Sequence, residues 1–244
     1  ESINLSHPND LTFYMSNIRL AEMERKLGNS EEAEKYYSAG INRYSRRFKT
    51  ENFKDKLLWL IKYYEQAGEK NSVSKKYSDA TKIYDKYINL ITLIHNKRLF
   101  PEMYSEFAPR AHVLYIDAYT AWKGADGINE LEKSYNSNLS IIRMDRNRAA
   151  LYGLGYIYTK KALLLDSQAA DLISTVSKSQ VFENLFLANE QIEWALFMDD
   201  TFIEPYLLKS WIYQFVDLQR KDFGDDVESS TEDYFPKHLW EANI

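Results

Sequence analysis

A pattern of small and aromatic residues at helical spacing recurs along the chain and limits its fold more than any other feature. The pattern comprises Leu20, Ala21, Gly28, Ala33, Tyr37 and Gly40, then Leu154, Gly155 and Tyr158, then Ala188, Ala195, Asp200, Tyr206, Ser210 and Tyr213. Small residues let two helices approach closely, and aromatic rings fill the space between neighbouring helix pairs. One helix pair cannot bury its own apolar face, so the pattern predicts stacked helical repeats with an extended concave surface.

The composition agrees with an ordered helical protein. The 244 residues are 45% hydrophobic and include only 8 Gly and 5 Pro, whereas β-sandwiches and disordered chains use more turn-forming residues. The chain has no cysteine, which excludes disulfides, thiolate nucleophiles and Cys-ligated zinc. No apolar run reaches the roughly 18 residues that a transmembrane helix needs, so we expect no integral membrane segment.

Charge is distributed unevenly along the chain. Residues 1–100 carry a net charge of +5, and residues 151–244 carry −9. Such asymmetry can steer a charged partner or orient copies of the chain head to tail, although solvated helix faces would show it equally well. The overall pI near 5.5 argues against nucleic acid as a partner.

Helix stop and start signals recur at Gly28, Gly68, Gly124 and Gly127. They predict, in order, helices over 11–27, from 30 to about 48, 57–68, 77–95 and 113–122, a partner helix around 131–142, one from about 148, one over 179–198 and one from about 205. Pro101 and Pro109 are expected to precede the fifth helix. The basic residues at the end of the second helix, Arg43, Arg46, Arg47 and Lys49, fit either an anion site or the negative end of the helix dipole.

Two segments interrupt the helical pattern. Residues 166–178 separate the first helix of the fourth pair from its partner helix. They are predicted to be an insertion, either a loop or a helix extension. Residues 222–233 are acidic and contain Ser and Gly, so we expect a mobile loop there. The aromatic residues beyond that loop, including Trp240, suggest the approach to a further repeat and hence a fragment of a longer array.

Together these residues resemble the tetratricopeptide repeat. Leu154-Gly155-x-x-Tyr158 matches the first helix of that family, and Gly28, Ala33 and Tyr37 match its interhelical glycine, small residue and aromatic. The resemblance implies an all-α fold, a right-handed α-solenoid of about four to five antiparallel helix pairs, forming a single domain over residues 1–244.

The repeats are longer than those of the family. If Tyr37, Tyr84, Tyr135 and Ile192 are equivalent, the intervals are 47, 51 and 57 residues, against about 34 in the family. Armadillo and HEAT repeats fit the interval but not the small-residue pattern.

No catalytic or metal-binding arrangement is evident. The four histidines lack metal-ligand spacing, and acid pairs such as Asp199-Asp200 fall at predicted helix ends, where they can cap helices. We therefore expect no enzyme activity, no cofactor and no metal. A hydrolytic function would require two carboxylates to meet in a closed pocket.

The resemblance implies a site, because first helices line the concave groove in that family. Transferring the groove-facing positions gives mainly aromatic and cationic residues, which suit a protein or peptide partner. They are Arg25, Lys26, Lys62, Trp122, Tyr152, Tyr156, Lys160, Trp211, Gln214 and Phe215, with Ile18, Leu58, Leu114 and Leu207 between them. Alternatively, the next repeat buries some of these aromatic rings.

Two functional hypotheses follow. The first is a scaffold that binds a partner protein, a peptide or another copy of itself within a larger assembly. This Tyr- and Lys-rich, Cys-free array resembles the periplasmic scaffold proteins of spirochaete flagellar collars, which implies an extracytoplasmic location, although a cytoplasmic protein could equally lack cysteine. The second is a helical ligand- or glycan-binding module of an extracytoplasmic protein, in which clustered Tyr and Trp stack on sugars.

Overall fold

The structure, a computed structural model, describes residues 8–43, 53–141, 148–169, 175–201 and 203–223. These ranges contain nine α-helices and no strand. They are α1 (Pro8–Lys26), α2 (Ser30–Asn42), α3 (Phe53–Val73), α4 (Tyr77–Asn96), α5 (Pro101–Lys123), α6 (Ala125–Ile141), α7 (Arg148–Ala169), α8 (Thr175–Met198) and α9 (Ile203–Phe223). Helix pairs are formed by α1 and α2, by α3 and α4, by α5 and α6, and by α7 and α8, which confirms the predicted all-α fold of helix pairs.

The chain divides into two compact units, Glu1–Phe100 and Pro101–Ile244, called here the N-terminal and C-terminal units. In the N-terminal unit α1 packs on α2, α3 packs on α4, and α2 also contacts α3. Fully buried side chains from all four helices form its core, among them Tyr14, Tyr37, Leu57 and Ile91. The prediction of one array over residues 1–244 concerns the arrangement of the two units and stays a prediction.

In the C-terminal unit α7 and α8 form the most extensive helix pair, and α6 packs against α7. The first helices of successive pairs, α5, α7 and α9, also contact one another. The core is continuous from α5 to α9 and includes Ile116, Leu154, Leu185, Ile192 and Ile212. The first helices therefore lie against one another in this unit.

Small residues stand where helices approach closely, as the pattern predicts. A Cβ atom on Gly155 would lie 3.0 Å from Ile192 and 3.1 Å from the carbonyl oxygen of Ala188 on α8. On Gly40, a Cβ would lie 3.3 Å from both Asn17 and Ile18 on α1. The packing role assigned to these glycines is confirmed.

The stop predicted at Gly28 is confirmed by its backbone. Gly28 has a φ of 82°, a left-handed conformation that glycine adopts without a Cβ clash. The Asn29 amide donates to the carbonyl oxygen of Glu24 at 2.9 Å, which closes the end of α1 in the manner of a Schellman motif. Helix α1 therefore ends where the sequence predicts.

The stop predicted at Gly68 is wrong. Gly68 lies inside α3, which continues to Val73, and a Cβ on Gly68 would lie only 2.3 Å from the Tyr84 ring on α4. Here glycine makes room for an aromatic ring and does not end a helix. The connection between α3 and α4 instead contains Lys75, whose φ is 59°.

Three other boundaries also differ from the prediction. Helix α5 begins at Pro101 and contains Pro109, and Gly127 lies inside α6. Proline is tolerated in a first turn because its missing amide would have no intrahelical partner there. Helix α2 ends at Asn42, earlier than expected, and Arg46 and Arg47 lie outside the described residues.

The two interrupting segments are described only in part. Residues 166–169 are the end of α7 and residues 175–178 are the start of α8, so these parts extend the helices, while the residues between them lie outside the described ranges. Of the predicted acidic loop, residues 222 and 223 end α9, and the rest also lies outside. Within the described ranges, no helix combines the length and apolar character needed to cross a membrane.

Candidate partner-binding face

Seven of the ten predicted partner-binding residues lie on the first helices α5, α7 and α9 of the C-terminal unit. We call the side chains of Asp117, Trp122, Tyr156, Lys160, Trp211, Gln214 and Phe215 the first-helix face. Five of them lie on neighbouring turns of α7 or α9, as expected for residues three or four positions apart. Asp117 was not among the predicted residues.

Asp117 joins α5 to α7 through a hydrogen-bonded cluster. Its Oδ1 atom accepts hydrogen bonds from the Tyr156 hydroxyl at 2.9 Å and from Lys160 Nζ at 2.7 Å. Lys160 Nζ also lies 5.5 Å from the centroid of the Tyr156 ring. Burial and the nearby Asp117 carboxylate raise the pKa of Tyr156, so its hydroxyl stays protonated and keeps donating.

The sequence contained a weak signal for Asp117. It lies three residues after Leu114, on the side of α5 that the groove pattern selects, and its charge is opposite to that of Lys160. The predicted site consists mainly of aromatic and cationic residues and therefore does not include Asp117. The Asp117 side chain is 44% exposed, so the cluster remains open to solvent on one side.

The α9 part of the face is aromatic. The Trp211 and Phe215 rings are stacked, with centroids 5.3 Å apart and planes inclined by 25°. Both are half-buried and pack against the core of the C-terminal unit, whereas the neighbouring Gln214 is exposed. These two rings present part of their surface to solvent while the core holds the remainder in place.

Trp122 lies at the end of α5 and is 47% exposed. Its ring meets Tyr119 edge-on at 5.7 Å, and Lys123 Nζ lies 4.8 Å from its centroid. Tyr119 donates a 2.6 Å hydrogen bond to Glu130, and this bond is the main reason why the Tyr119 pKa rises to about 12. Tyr119, which is itself bonded to Glu130 of α6, therefore fixes the position of the Trp122 ring.

Tyr152 does not belong to an exposed face. It is only 4% exposed and packs in a small cluster with Leu151 and Ala195. Burial raises the pKa of its hydroxyl. Because α5, α8 and α9 all contribute side chains to this cluster, the alternative that neighbouring helices bury some predicted aromatics holds for Tyr152.

The remaining predicted residues lie in the N-terminal unit. Arg25 and Lys26 are exposed in the last turn of α1, where they also complement the negative end of the helix dipole, and Lys62 is exposed on α3. Ile18 is buried under Gly40, so the groove-facing assignment is wrong for this residue. Leu58 is half-buried.

The two remaining apolar predictions, Leu114 and Leu207, and the acid pair Asp199-Asp200 also lie in the C-terminal unit. Leu114 is half-buried and Leu207 is exposed. The Asp199 carboxylate lies 2.8 Å from Arg148 Nε and accepts a 2.9 Å hydrogen bond from Ser105, which the sequence did not predict.

Asp199 also accepts a 3.1 Å hydrogen bond from the Thr201 amide, as expected for a carboxylate at a helix end. Burial by itself would raise the Asp199 pKa, but the hydrogen bonds from Thr201 and Ser105 and the charge of Arg148 lower it. The carboxylate therefore stays ionised and links α5 and α7 to the turn between α8 and α9.

Among the described residues, no group of three or more His, Cys, Asp or Glu side chains is placed to hold a metal ion. No protein-family model, no curated protein and no solved structure matches this chain. The resemblance to tetratricopeptide repeats therefore rests on the sequence pattern and on the helical architecture.

Proposed function

We propose that this protein is a non-enzymatic scaffold that binds a partner protein or peptide, or a second copy of itself, through the first-helix face. One observation carries the proposal. The first helices α5, α7 and α9 contact one another, and they carry both half-exposed aromatic rings and the Asp117–Lys160 ion pair.

The chemistry of this face suits protein recognition. Aromatic side chains bury a large area at a low cost in conformational entropy, and Trp and Tyr are enriched among residues that dominate binding energy. Trp211 and Phe215 are already held by each other and by the core, so binding would order few additional rotors. Asp117 and Lys160 would then select partners by charge at the rim.

Exposed aromatic residues also occur elsewhere in the C-terminal unit, and they provide an internal control. Trp194 lies on the second helix α8 and is 49% exposed, almost the same as Trp122 on the first helix α5. Its ring contacts Phe197 edge-on at 5.9 Å. If exposure alone determined binding, the two tryptophans would contribute equally.

Site-specific photo-crosslinking in the native cell tests the proposal. The photoreactive amino acid p-benzoylphenylalanine is placed at position 122, 214 or 194 of the full chain, and crosslinked proteins are identified by mass spectrometry. Positions 122 and 214 are expected to yield the same partner, or the chain itself, and position 194 is expected to yield much less of it.

Alanine variants complete the test with the partner so identified. Trp122→Ala and Gln214→Ala together are expected to weaken binding at least about tenfold, because aromatic residues at an interface carry much of its energy. Trp194→Ala serves as the matched control and should change the affinity little. If Trp194→Ala weakened binding as much as the double variant, or if only position 194 gave crosslinks, the first-helix face would be misassigned.

The finer assignment is a divergent tetratricopeptide-like array acting as a periplasmic scaffold of a flagellar motor. Its support is the residue pattern, the absence of cysteine and the helix pairs, all of which other helical repeat proteins share. Immunodetection after osmotic release of the periplasm tests the location. Recovery with cytoplasmic markers would exclude the flagellar assignment and leave the scaffold proposal intact.

A further inference from the structure

A cleft in the N-terminal unit lies between the second helices α2 and α4, with α3 at its side. It has a volume of about 360 Å³ and is lined by both polar and apolar side chains, with Asn42 and Asn89 among the polar ones. We call the hydrogen-bonded residues Glu34, Ser38, Tyr64 and Lys86 the polar end. This cleft is separate from the first-helix face, which belongs to the C-terminal unit.

The polar end contains a buried carboxylate. The Glu34 side chain is only 7% exposed. Its Oε1 atom accepts hydrogen bonds from the Tyr64 hydroxyl at 2.8 Å and from Ser38 Oγ at 3.1 Å, and its Oε2 atom accepts one from Lys86 Nζ at 3.1 Å. Burial and the negative charge of Glu34 raise the pKa of Tyr64, so the hydroxyl remains a donor.

The two residues of this ion pair differ in solvent exposure. Glu34 is fixed by Tyr64 and Ser38, whereas the Lys86 side chain is 55% exposed and reaches the carboxylate from the solvent side. An ammonium in that position is held weakly, because water competes for it and a long side chain loses entropy when it is fixed. The buried Glu34 carboxylate, by contrast, requires a cation nearby, because an unpaired buried charge costs a large free energy.

The wall next to the carboxylate is apolar. Ile41 and Leu90 are buried, Leu93 is half-buried, and all three line the same cleft as Glu34. A ligand that placed a cation on Glu34 would therefore place a short attached chain against hydrocarbon. Lys35, also at the cleft, is paired with Glu32 on its own helix and interacts with Glu34 only as a minor electrostatic neighbour.

We propose that this cleft binds a primary alkylammonium group with a chain of about four or more carbons, such as the lysine side chain carries. The ammonium replaces Lys86 Nζ on Glu34 Oε2, and the chain packs along Ile41 and Leu90. The ligand can be a free organic amine or a lysine of a partner protein, since both present the same group.

A carboxylate ligand fits the cleft less well. It would gain a half-exposed contact with Lys86, but it would have to approach the fixed negative charge of Glu34. An amine and an acid of equal chain length therefore distinguish the two possibilities.

The test is calorimetric titration of the full chain with n-hexylammonium chloride and, separately, with sodium hexanoate. The unmodified protein is expected to bind hexylammonium saturably and hexanoate much more weakly. Glu34→Gln should weaken hexylammonium binding at least about tenfold, because it removes the charged acceptor. Lys86→Met should strengthen hexylammonium binding several-fold, because the internal competitor is gone.

Three results of these titrations would reject the proposal. Binding of hexanoate that Lys86→Met abolishes would assign the cleft to anions. Absence of saturable hexylammonium binding to the unmodified protein, or equal binding by the protein and Glu34→Gln, would also reject the proposal. Circular dichroism establishes that each variant is folded, and Lys86→Met, which changes a largely exposed side chain, provides a readout independent of Glu34→Gln.

Blocked peptides distinguish the two sources of the amine. The peptide Gly-Gly-Lys-Gly-Gly and its Nζ-acetylated form are titrated beside hexylammonium. Binding of the free lysine peptide but not the acetylated one points to a lysine of a partner protein. Binding of hexylammonium alone points to a small organic amine.

Discussion

Both units hold a carboxylate between a tyrosine hydroxyl and a lysine ammonium, but they place it in different surroundings. In the N-terminal unit Glu34 accepts from Tyr64 and Lys86, and its side chain is almost wholly buried. In the C-terminal unit Asp117 accepts from Tyr156 and Lys160 and is nearly half exposed. The same three functional groups thus form a core network in one unit and a surface cluster in the other.

The difference shows how burial determines the value of a polar contact. Water can replace a lost partner of Asp117, whereas the loss of a partner of Glu34 leaves the carboxylate itself short of a hydrogen bond in the protein interior. The C-terminal unit contains a partly buried titratable group, His112. Its Nδ1 atom lies 2.7 Å from the Tyr135 hydroxyl. Burial disfavours the charged ring and lowers the His112 pKa to about 4.

The largest expected effect is a pH dependence confined to the C-terminal unit. His112 takes up a proton near its ordinary pKa of about 6.5 when unfolded, but only near 4 when folded. Between these values the unfolded state binds more protons, so the free energy of unfolding falls by about 2 to 3 kcal/mol as the pH drops from 7 to 4.

Native-state hydrogen exchange at several pH values, corrected for intrinsic rates, measures this for each unit. Peptides from α5 and α6 should lose protection with decreasing pH, and His112→Gln should remove most of that slope. A slope that persists unchanged in His112→Gln would assign the effect to other groups.

The second expected effect compares the two carboxylates directly. Glu34→Ala removes the charged acceptor of the buried Tyr64 hydroxyl, leaves Ser38 Oγ, 3.0 Å away, as a weaker neutral partner, and should lower the free energy of unfolding by about 2 kcal/mol. Asp117→Ala exposes its partners to water and should cost less than about 1 kcal/mol. Urea denaturation followed by circular dichroism provides both values, and equal losses would contradict the difference in burial.

The third expected effect concerns the hydroxyl donors. Tyr64→Phe removes one hydrogen bond to a buried charge and should cost about 1.5 kcal/mol, whereas Tyr156→Phe should cost about 0.5 to 1 kcal/mol. Both changes preserve the ring and its packing, so each acts as the control for the other. A larger loss in Tyr156→Phe would mean that the first-helix face depends on its polar cluster for stability.

The smallest expected effect is a difference in salt sensitivity. In double-mutant cycles, the coupling between Asp117 and Lys160 should be below about 1 kcal/mol and should fall further in 1 M NaCl, where the screening length is only about 3 Å. The coupling between Glu34 and Tyr64 is a short, buried hydrogen bond and should change little. Equal screening of both couplings would show that water reaches Glu34.

Much of the local structure was predictable because it depends on residues close in sequence. The end of α1 at Gly28 and the close helix contact at Gly155 follow from local backbone and side-chain size. Gly68 shows the limit of such reasoning. A glycine that ends a helix and one that accommodates a ring on another helix look alike in sequence, and only the position of Tyr84 separates them.

The candidate site was predicted in part for the same reason. Helical spacing placed Tyr156, Lys160, Trp211 and Phe215 on first helices, and the structure leaves them at least partly exposed there. Helical spacing could not reveal that neighbouring helices bury Tyr152 or that Asp117 completes the cluster. Those facts depend on which neighbouring helix lies over each turn.

By itself, the sequence determined the helical class, the pairing of consecutive helices and the uneven charge along the chain, because periodicity and composition are local properties. Only the tertiary structure decided that Glu34 meets Tyr64 and Lys86, which lie 30 and 52 positions away, and that this carboxylate is buried. Helical periodicity specifies which face of a helix is apolar. It does not specify which side chain of which helix will cover that face, and burial assigns a different energy to the same chemical group in each case.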